Sequence, residues 1–333
     1  MILLLIGCFL FYGVIKWVGW EEVKETLFTF SGYKGIVILA VTILIWLSGV
    51  WRWRFILKSQ GCNVSILGLG EIFFAGTTIN YFFSPPVYFG GELFRAYIAR
   101  KKFSLPQEKN FAAIVIEKIL SASVILVFLI LGIVSFIFLT ELPFENFGII
   151  TIGLIGVLAV GLSVFYFRSF KKESILRYFF RFSGLKNNKN SKMIKNIEKE
   201  TFRFFDFKKS LMWKGLGIAF LRYFLILARC WFLVFFLTGE TGFLISLIIL
   251  FFLILASILP LPARLGGLEI TQAFAFGSLG LGKVVGITFS FIIRGAEILV
   301  ALFGLMLLIK LGIKFSKESI EKTTNKFKIK RRR

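Results

Sequence analysis

Of 333 residues, 57% are hydrophobic and 17% aromatic, the mean hydropathy is +0.83, and the formal charge is +23 with no histidine at all. Several apolar runs are long enough to cross about 30 Å of hydrocarbon, which excludes an ordinary water-soluble domain and predicts a polytopic helical membrane protein. So high a charge in a soluble chain would point to nucleic acid, but here it is confined to inter-helix segments, so no nucleic acid is expected; the missing imidazole removes the commonest metal ligand, and no metal or cofactor is expected.

The first apolar run, residues 1–19, has no basic leading segment and no small-residue cleavage site, so a span is expected there, with Trp17 and Trp20 at the outer interface. A second is expected over 34–57. Arg52, Arg54 and Lys58 at its end give +3, residues 95–109 give +4, residues 168–214 give +10 and residues 310–333 give +8. The loops at 21–33, Glu141 to Asn146 and Gly239 to Gly242 are net acidic. Positive charge marks the cytoplasmic side, which orients every span and places both termini inside. Cys8, Cys62 and Cys230 suggest neither a disulfide framework nor metal spacing.

Residues 66–95 lie between two cytoplasmic segments and must enter and leave from inside. Interrupted by Pro85-Pro86 and Gly90-Gly91, they are too few for two spans of about 20 residues each, so a re-entrant hairpin is expected. Further spans are expected at 110–139, 147–167, 215–238 and 284–309. Residues 243–282 begin and end outside and form a second hairpin. The predicted fold is therefore an all-α polytopic membrane protein of about six full spans plus two re-entrant helical hairpins, arranged as an inverted-topology repeat. Residues 1–140 are the first repeat, 141–314 the second, and 315–333 a basic cytoplasmic tail. The segment 168–214 mixes Lys and Arg with Phe179, Phe180, Phe182, Phe202, Phe204, Phe205 and Phe207, a pattern of amphipathic helices lying on the inner leaflet. Lys330 to Arg333 suit anionic headgroups; alternatively both segments are ordinary positive flanks.

Both hairpins carry the same break. Pro86, Gly90, Gly91 and Glu92 are echoed 176 residues after Pro86 by Pro262, Gly266, Gly267 and Glu269. Proline lacks a backbone donor and paired glycines favour non-helical backbone, so each break must be buried in protein or line a wet cavity. The simpler alternative is a tight packing turn. Pro86 precedes Glu117 by 31 residues and Pro262 precedes Arg294 by 32, each an ionisable residue in the following span.

Ionisable residues in spans are costly and face a partner or a water-filled path. Glu71, Glu92, Glu117, Arg222, Arg229, Arg264, Glu269, Arg294 and Glu297 are such residues. Arg222 and Arg229, seven apart, share one helix face, with Arg229 on the order of 20 Å beyond Lys214. Arg294 and Glu297, three apart, fit an intrahelical pair, and Glu92 with Arg95 fits a capping pair. Alternatively these residues hold a ligand: buried arginines near helix N-termini suit a phosphate, and the carboxylates suit the arginines or an amine.

The run Asn80 to Pro86, then Gly90-Gly91-Glu92-Leu93-Phe94-Arg95, Glu117-Lys118, Pro262 to Glu269, and Arg294 resembles the transmembrane region of the lysylphosphatidylglycerol synthase/flippase family, across essentially the whole chain. The resemblance implies movement of a phospholipid or lipid-linked sugar between leaflets of a prokaryotic plasma membrane. Fused members also carry a soluble aminoacyl-transferase domain, which is not read in these residues, so a non-enzymatic role is expected. After Glu117 the family often has Arg and, three residues later, Asp; here stand Lys118 and Ser121. The expected headgroup residues are Glu92, Arg95, Glu117, Arg222, Arg229, Arg264, Glu269, Arg294 and Glu297. Pro86, Gly90, Gly91, Pro262, Gly266 and Gly267 are the expected helix breaks. Expected partners are membrane lipids, either an anionic phospholipid or a lipid-linked sugar, with a second copy of the chain or a glycosyltransferase or synthase as candidate protein partners. Two other readings stand beside transport: an enzyme on lipid-linked sugars using Glu92 or Glu269 as general base, and a non-catalytic recruiter acting through its basic loop and tail.

Overall fold

Apolar runs punctuated by Gly and Pro fold here as helices and turns. The computed structural model describes residues 32–83, 90–140, 145–171, 188–206, 210–258 and 265–330, and among them every regular element is a helix. In chain order these are α1 (Tyr33–Ser59), α2 (Ile66–Phe83), α3 (Gly90–Phe103), α4 (Gln107–Leu139), α5 (Glu145–Lys171), α6 (Asn188–Phe204), α7 (Ser210–Thr238), α8 (Phe243–Ile258), α9 (Gly267–Ser278) and α10 (Lys283–Lys330). Five contain stretches long and apolar enough to span: Tyr33–Ser59, Gln107–Leu139, Thr151–Lys171, Ser210–Thr238 and Lys283–Ile313. The expected first span with Trp17, Trp20 and Cys8 lies outside the described residues. So do Pro86, Pro262, Arg264, Phe179, Phe180, Phe182, Phe207 and Arg331 to Arg333.

The two expected hairpins are the pairs α2/α3 and α8/α9. At 1.5 Å per residue their arms measure about 18–27 Å, short of the hydrocarbon thickness. Within the first hairpin the arms touch backbone to backbone: a Cβ on Gly91 would run into the Gly76 carbonyl oxygen, and one on Gly76 would meet Gly91 O at 2.7 Å. Small residues let helices approach this closely where lipid supplies no hydrophobic drive. In the second hairpin the turn into α9 passes through Gly266 at φ 74°, a left-handed conformation that glycine adopts without strain.

Each hairpin's first arm packs on the long helix of the other half of the chain, α2 on α10 and α8 on α4. A glycine receives it in both places. A Cβ on Gly132 of α4 would collide with Phe251 of α8, and one on Gly304 of α10 would collide with Thr78 and lie 2.7 Å from Phe74 O of α2. Thr78 Oγ1 also donates to Ala301 O at 3.1 Å. Phe74 and Phe251 stand 177 residues apart. Helices α1 and α7 cross at the centre, and both touch α4 and α10. Trp53, Phe136, Phe251, Phe276 and Phe289 are fully buried in the resulting core.

Helix α6 lies in the segment expected to form amphipathic helices on the inner leaflet, and its C-terminal end packs on protein: Phe204, its last residue, is 2% exposed, and Phe205, just after it, 0%. Phe204 meets Phe55 edge-on at 6.3 Å, and Phe205 meets Phe165 and Tyr166 at 5.1 and 5.7 Å. Protein rings thus cover the aromatic end of the apolar face that the sequence reading assigns to lipid. Helix α10 runs unbroken through position 314, so residues 315–330 continue the last helix beyond its apolar stretch Lys283–Ile313.

On the other side of α2, Glu71 accepts from Lys102 at 2.5 Å and from Lys310 at 3.4 Å. The Lys310 side chain is 70% exposed. Solvent screens such a pair, so Lys310→Ala is expected to change stability by less than about 1 kcal/mol in a thermal melt of detergent-solubilised protein.

Candidate functional site

Buried charged residues gather into two clusters, and residues of the second line a cavity. In the first, Glu117 of α4 accepts from two arginines, Arg52 Nη2 at 2.9 Å and Arg95 Nη2 at 3.1 Å. All three are nearly inaccessible, with exposures of 4% for Arg52, 4% for Arg95 and 7% for Glu117. Arg52 Nη1 reaches Ser121 at 2.9 Å, and Arg95 lies 5.1 Å from the Trp53 ring and 4.8 Å from that of Phe73. The aromatic faces supply further negative potential to a cation that has left water.

Glu92 and Arg95 turn to different partners, contrary to a simple capping pair. Glu92 Oε1 accepts from Lys118 Nζ at 2.6 Å and Oε2 from Asn80 Nδ2 at 2.8 Å, while Asn80 Oδ1 accepts from Gly91 N at 2.7 Å. Asn80 thus ties the Gly90-Gly91 break to its own carboxylate across the hairpin.

In the second cluster Arg294 and Glu297 of α10 each reach another helix. Arg294 Nη2 donates to the fully buried Glu269 of α9, and Arg229 Nη2 of α7 donates to Glu297 at 3.2 Å. Arg229 Nη1 also donates to Thr42 Oγ1 at 3.2 Å, and its Nε has no hydrogen-bond partner among the described residues. Arg229 is 3% exposed. Where α1 and α7 cross, Arg222 Nη1 donates to the Ile45 carbonyl.

Arg229 and Glu297 of the second cluster, with Asn80 from beside the first, line a cavity of about 440 Å³ bordered by α1, α2, α4, α7, α8 and α10. Its charged lining among the described residues is Arg222, Arg229 and Glu297. Ten of its lining residues form pairs 177 apart in sequence: Ile45 with Arg222, Trp46 with Tyr223, Thr77 with Ile254, Asn80 with Ser257, and Tyr81 with Ile258. The same interval relates Arg52 to Arg229, Gly90 to Gly267, Glu92 to Glu269 and Glu117 to Arg294.

Of the residues expected from sequence, Arg222, Arg229 and Glu297 border the cavity, while Glu92, Arg95, Glu117, Glu269 and Arg294 form the buried ion pairs beside it. Gly90, Gly91, Gly266 and Gly267 stand at or just before the starts of α3 and α9. The sequence reading missed Arg52, which it counted with Arg54 and Lys58 as cytoplasmic charge, and it missed Asn80, Thr42 and Tyr223. The 177-residue interval that joins Glu92 to Glu269 is the signal that also picks out Arg52 against Arg229. No group of three or more Cys, Asp or Glu side chains fit for a metal occurs among the described residues.

The family model described as the lysylphosphatidylglycerol synthase TM region matches residues 4–304, which takes in both hairpins, both clusters and the cavity. The chain belongs to that family. A UPF0104 membrane protein of Methanocaldococcus jannaschii is similar at 27% identity over 127 residues, a stretch that is 38% of this chain and 38% of that relative. The matched stretch therefore covers well under half of the relative's length. In this member of the lysylphosphatidylglycerol synthase TM family, Lys118 and Ser121 are built into the first cluster, one on Glu92 and the other on Arg52.

Proposed function

We propose that the protein is a non-enzymatic, flippase-like transporter that moves an anionic phospholipid or lipid-linked sugar between the leaflets of a prokaryotic plasma membrane. One observation carries this reading: a cavity holding two arginines, lined by residues that pair at a constant interval along the two halves of the chain. Such pairing is what an inverted-topology repeat produces on its pseudo-two-fold axis, where secondary transporters hold substrate. Exchange of the halves also maps the contact of α2 with α10 onto that of α8 with α4. Rocking of one half against the other would then open the same cavity to either leaflet. The ion pairs Arg52–Glu117–Arg95 and Arg294–Glu269, which join different helices, would be the contacts that rearrange.

Arg222 and Arg229 would meet the lipid phosphate, since guanidinium offers a planar fork of donors and stays charged out of water. Purified protein in liposomes is expected to move a labelled anionic lipid between leaflets well above the rate in empty vesicles. The Arg222→Ala, Arg229→Ala variant should lose about tenfold or more of that rate, the weight of one or two charge-assisted hydrogen bonds. Wild-type protein that moves neither an anionic phospholipid nor a lipid-linked sugar faster than empty vesicles would overturn the proposal.

A further inference from the structure

A second opening lies apart from the cavity, on the flank of the α1/α7 crossing. We propose that it is a binding site for one resident anionic phospholipid, with an acyl chain lying in the groove and the phosphate meeting Lys214. This goes beyond the transport reading and does not depend on it: the lipid held here is a fixed companion of the fold rather than the molecule that is moved.

The groove has a volume of about 290 Å³ and is lined by Trp51 and Phe55 of α1 and by Lys214, Gly217, Ile218 and Leu221 of α7. The four α7 positions follow at i, i+3, i+4 and i+7, so they make one stripe along two helical turns, about 10 Å long. Trp51 and Phe55, four apart, stack in the same way on α1. The two helices run antiparallel: Lys34 of α1 donates to Phe236 O near the end of α7, while Phe55 stands with Lys214 near its start. Gly217 keeps the groove open, since a Cβ there would meet nothing within 4 Å. The cavity residues Arg222, Ile226 and Arg229 stand about 100° further around α7, so cavity and groove use different faces of the same helix.

The chemistry of the lining selects the occupant. Both walls belong to helices long and apolar enough to span, and apart from Lys214 and the Trp51 indole the lining carries no polar side chain. An extended peptide would leave its backbone N–H groups unpaired there, and a second helix, about 10–12 Å across, is too wide to enter. Hydrocarbon makes neither demand. Lys214 is the fifth residue of α7, and Arg54 and Lys58 are exposed at the adjoining end of α1. A phospholipid fits this order of groups, with its chain along the apolar turns and its phosphate at the ammonium where the span begins. The exposed Trp213 beside Lys214 adds an amphipathic ring of the kind that sits at headgroup level. A zwitterionic head brings its own cation to Lys214, so an anionic head is preferred. The bound chain touches one helix from each half of the protein and thereby supports the crossing at which Arg222 meets Ile45.

Tryptophan fluorescence of full-length protein in mild detergent tests this, on titration with phosphatidylglycerol or phosphatidylcholine carrying brominated acyl chains. The difference between wild type and Trp51→Phe isolates the ring in the groove. Saturable quenching of Trp51 is expected, with phosphatidylglycerol bound about fivefold more tightly than phosphatidylcholine. Lys214→Gln should erase that preference. Gly217→Leu fills the groove from a position with free space around it and improves helix propensity, so it should fold, yet lose the saturable quenching and the rise in melting temperature that phosphatidylglycerol gives wild type. The Arg222→Ala, Arg229→Ala variant should keep the Trp51 signal, which separates this site from the cavity. Equal affinity for the two lipids together with an inert Gly217→Leu would mean ordinary bilayer contact and overturn the inference. Unquenched Trp51 in wild type would also overturn it: a second copy covers the groove if Gly217→Leu then lowers the oligomeric mass, and a segment of the same chain covers it if the mass is unchanged. If Gly217→Leu does not fold, Lys214→Gln decides. Protein that holds phosphatidylglycerol in the groove yet moves no lipid would defeat the transport reading and leave this inference standing.

Discussion

Glu117→Ala is expected to cost more stability than any other single change among the buried charges, about 3–5 kcal/mol and enough to leave little folded protein in detergent. The reason is the number of cations it strands. Arg52 and Arg95 both end on this one carboxylate, at 2.9 and 3.1 Å, and neither is more than 4% exposed. Removing the acid leaves two guanidinium groups without a counter-charge where water cannot reach them easily, and an arginine does not escape by losing its proton. Glu117→Gln keeps hydrogen-bond acceptance without the charge, so its loss should be smaller. Combining Glu117→Leu with Arg52→Met should recover part of the loss, because an apolar replacement removes a charge together with its desolvation cost. Unfolding by heat or by graded denaturing detergent, followed on purified protein, measures all three. A Glu117→Ala protein within about 1 kcal/mol of wild type would mean that the triad does not form.

The second large effect is expected at Gly91. A Cβ there runs into the Gly76 carbonyl oxygen and within 2.8 Å of the Asn80 amide. The first obstacle is backbone, so no side chain can swing aside; the two arms of the hairpin must separate. Overpacking of this kind costs about 1–3 kcal/mol. The damage also reaches the cavity, because Gly91 N donates to Asn80 and Asn80 is part of the wall. If the cavity holds a lipid as proposed, Gly91→Ala should therefore weaken that binding beyond what its melting temperature accounts for. Gly153→Ala is the control: it lies in α5 with nothing within 4 Å of a new Cβ, and it should be neutral or stabilising by up to about 1 kcal/mol. Equal losses for the two variants would show that a general intolerance of helical glycines, rather than the α2/α3 contact, is responsible.

The breaks between short helices were legible in the sequence, because glycine pairs interrupt apolar runs there, and the short helices α2, α3, α8 and α9 flank those breaks. Arg222, Arg229 and Glu297 were legible because charge within an apolar run needs a partner or a cavity. Arg52 was not, since counting charge along a chain does not resolve the faces of a helix. Arg52 and Arg54 are separated by about 200° around α1, which turns one into the protein and leaves the other exposed. The partners of Arg294 and Glu297 were hidden for a related reason. Their three-residue spacing is satisfied within one helix, and only the packing of α10 on α7 and α9 shows the ties to Arg229 and Glu269. The aromatic face of α6 shows the converse limit: amphipathicity tells that a face needs an apolar neighbour, without saying whether that neighbour is lipid or phenylalanine.

The paired wall of the cavity has a consequence for the energy of any rocking motion. Two identical halves exchanging roles would give states related by a two-fold rotation and equal in free energy, each populated half of the time. Here the partners differ in kind: Ile45 stands against Arg222, Thr77 against Ile254, and Tyr81 against Ile258. Exchange of the halves therefore cannot reproduce the same contacts, and the two end states of the proposed rocking would be unequal in energy. A difference of about 1.4 kcal/mol already gives a tenfold bias toward one leaflet in the empty protein. On the proposed reading, the direction in which the unloaded protein rests is written into those few mismatched positions.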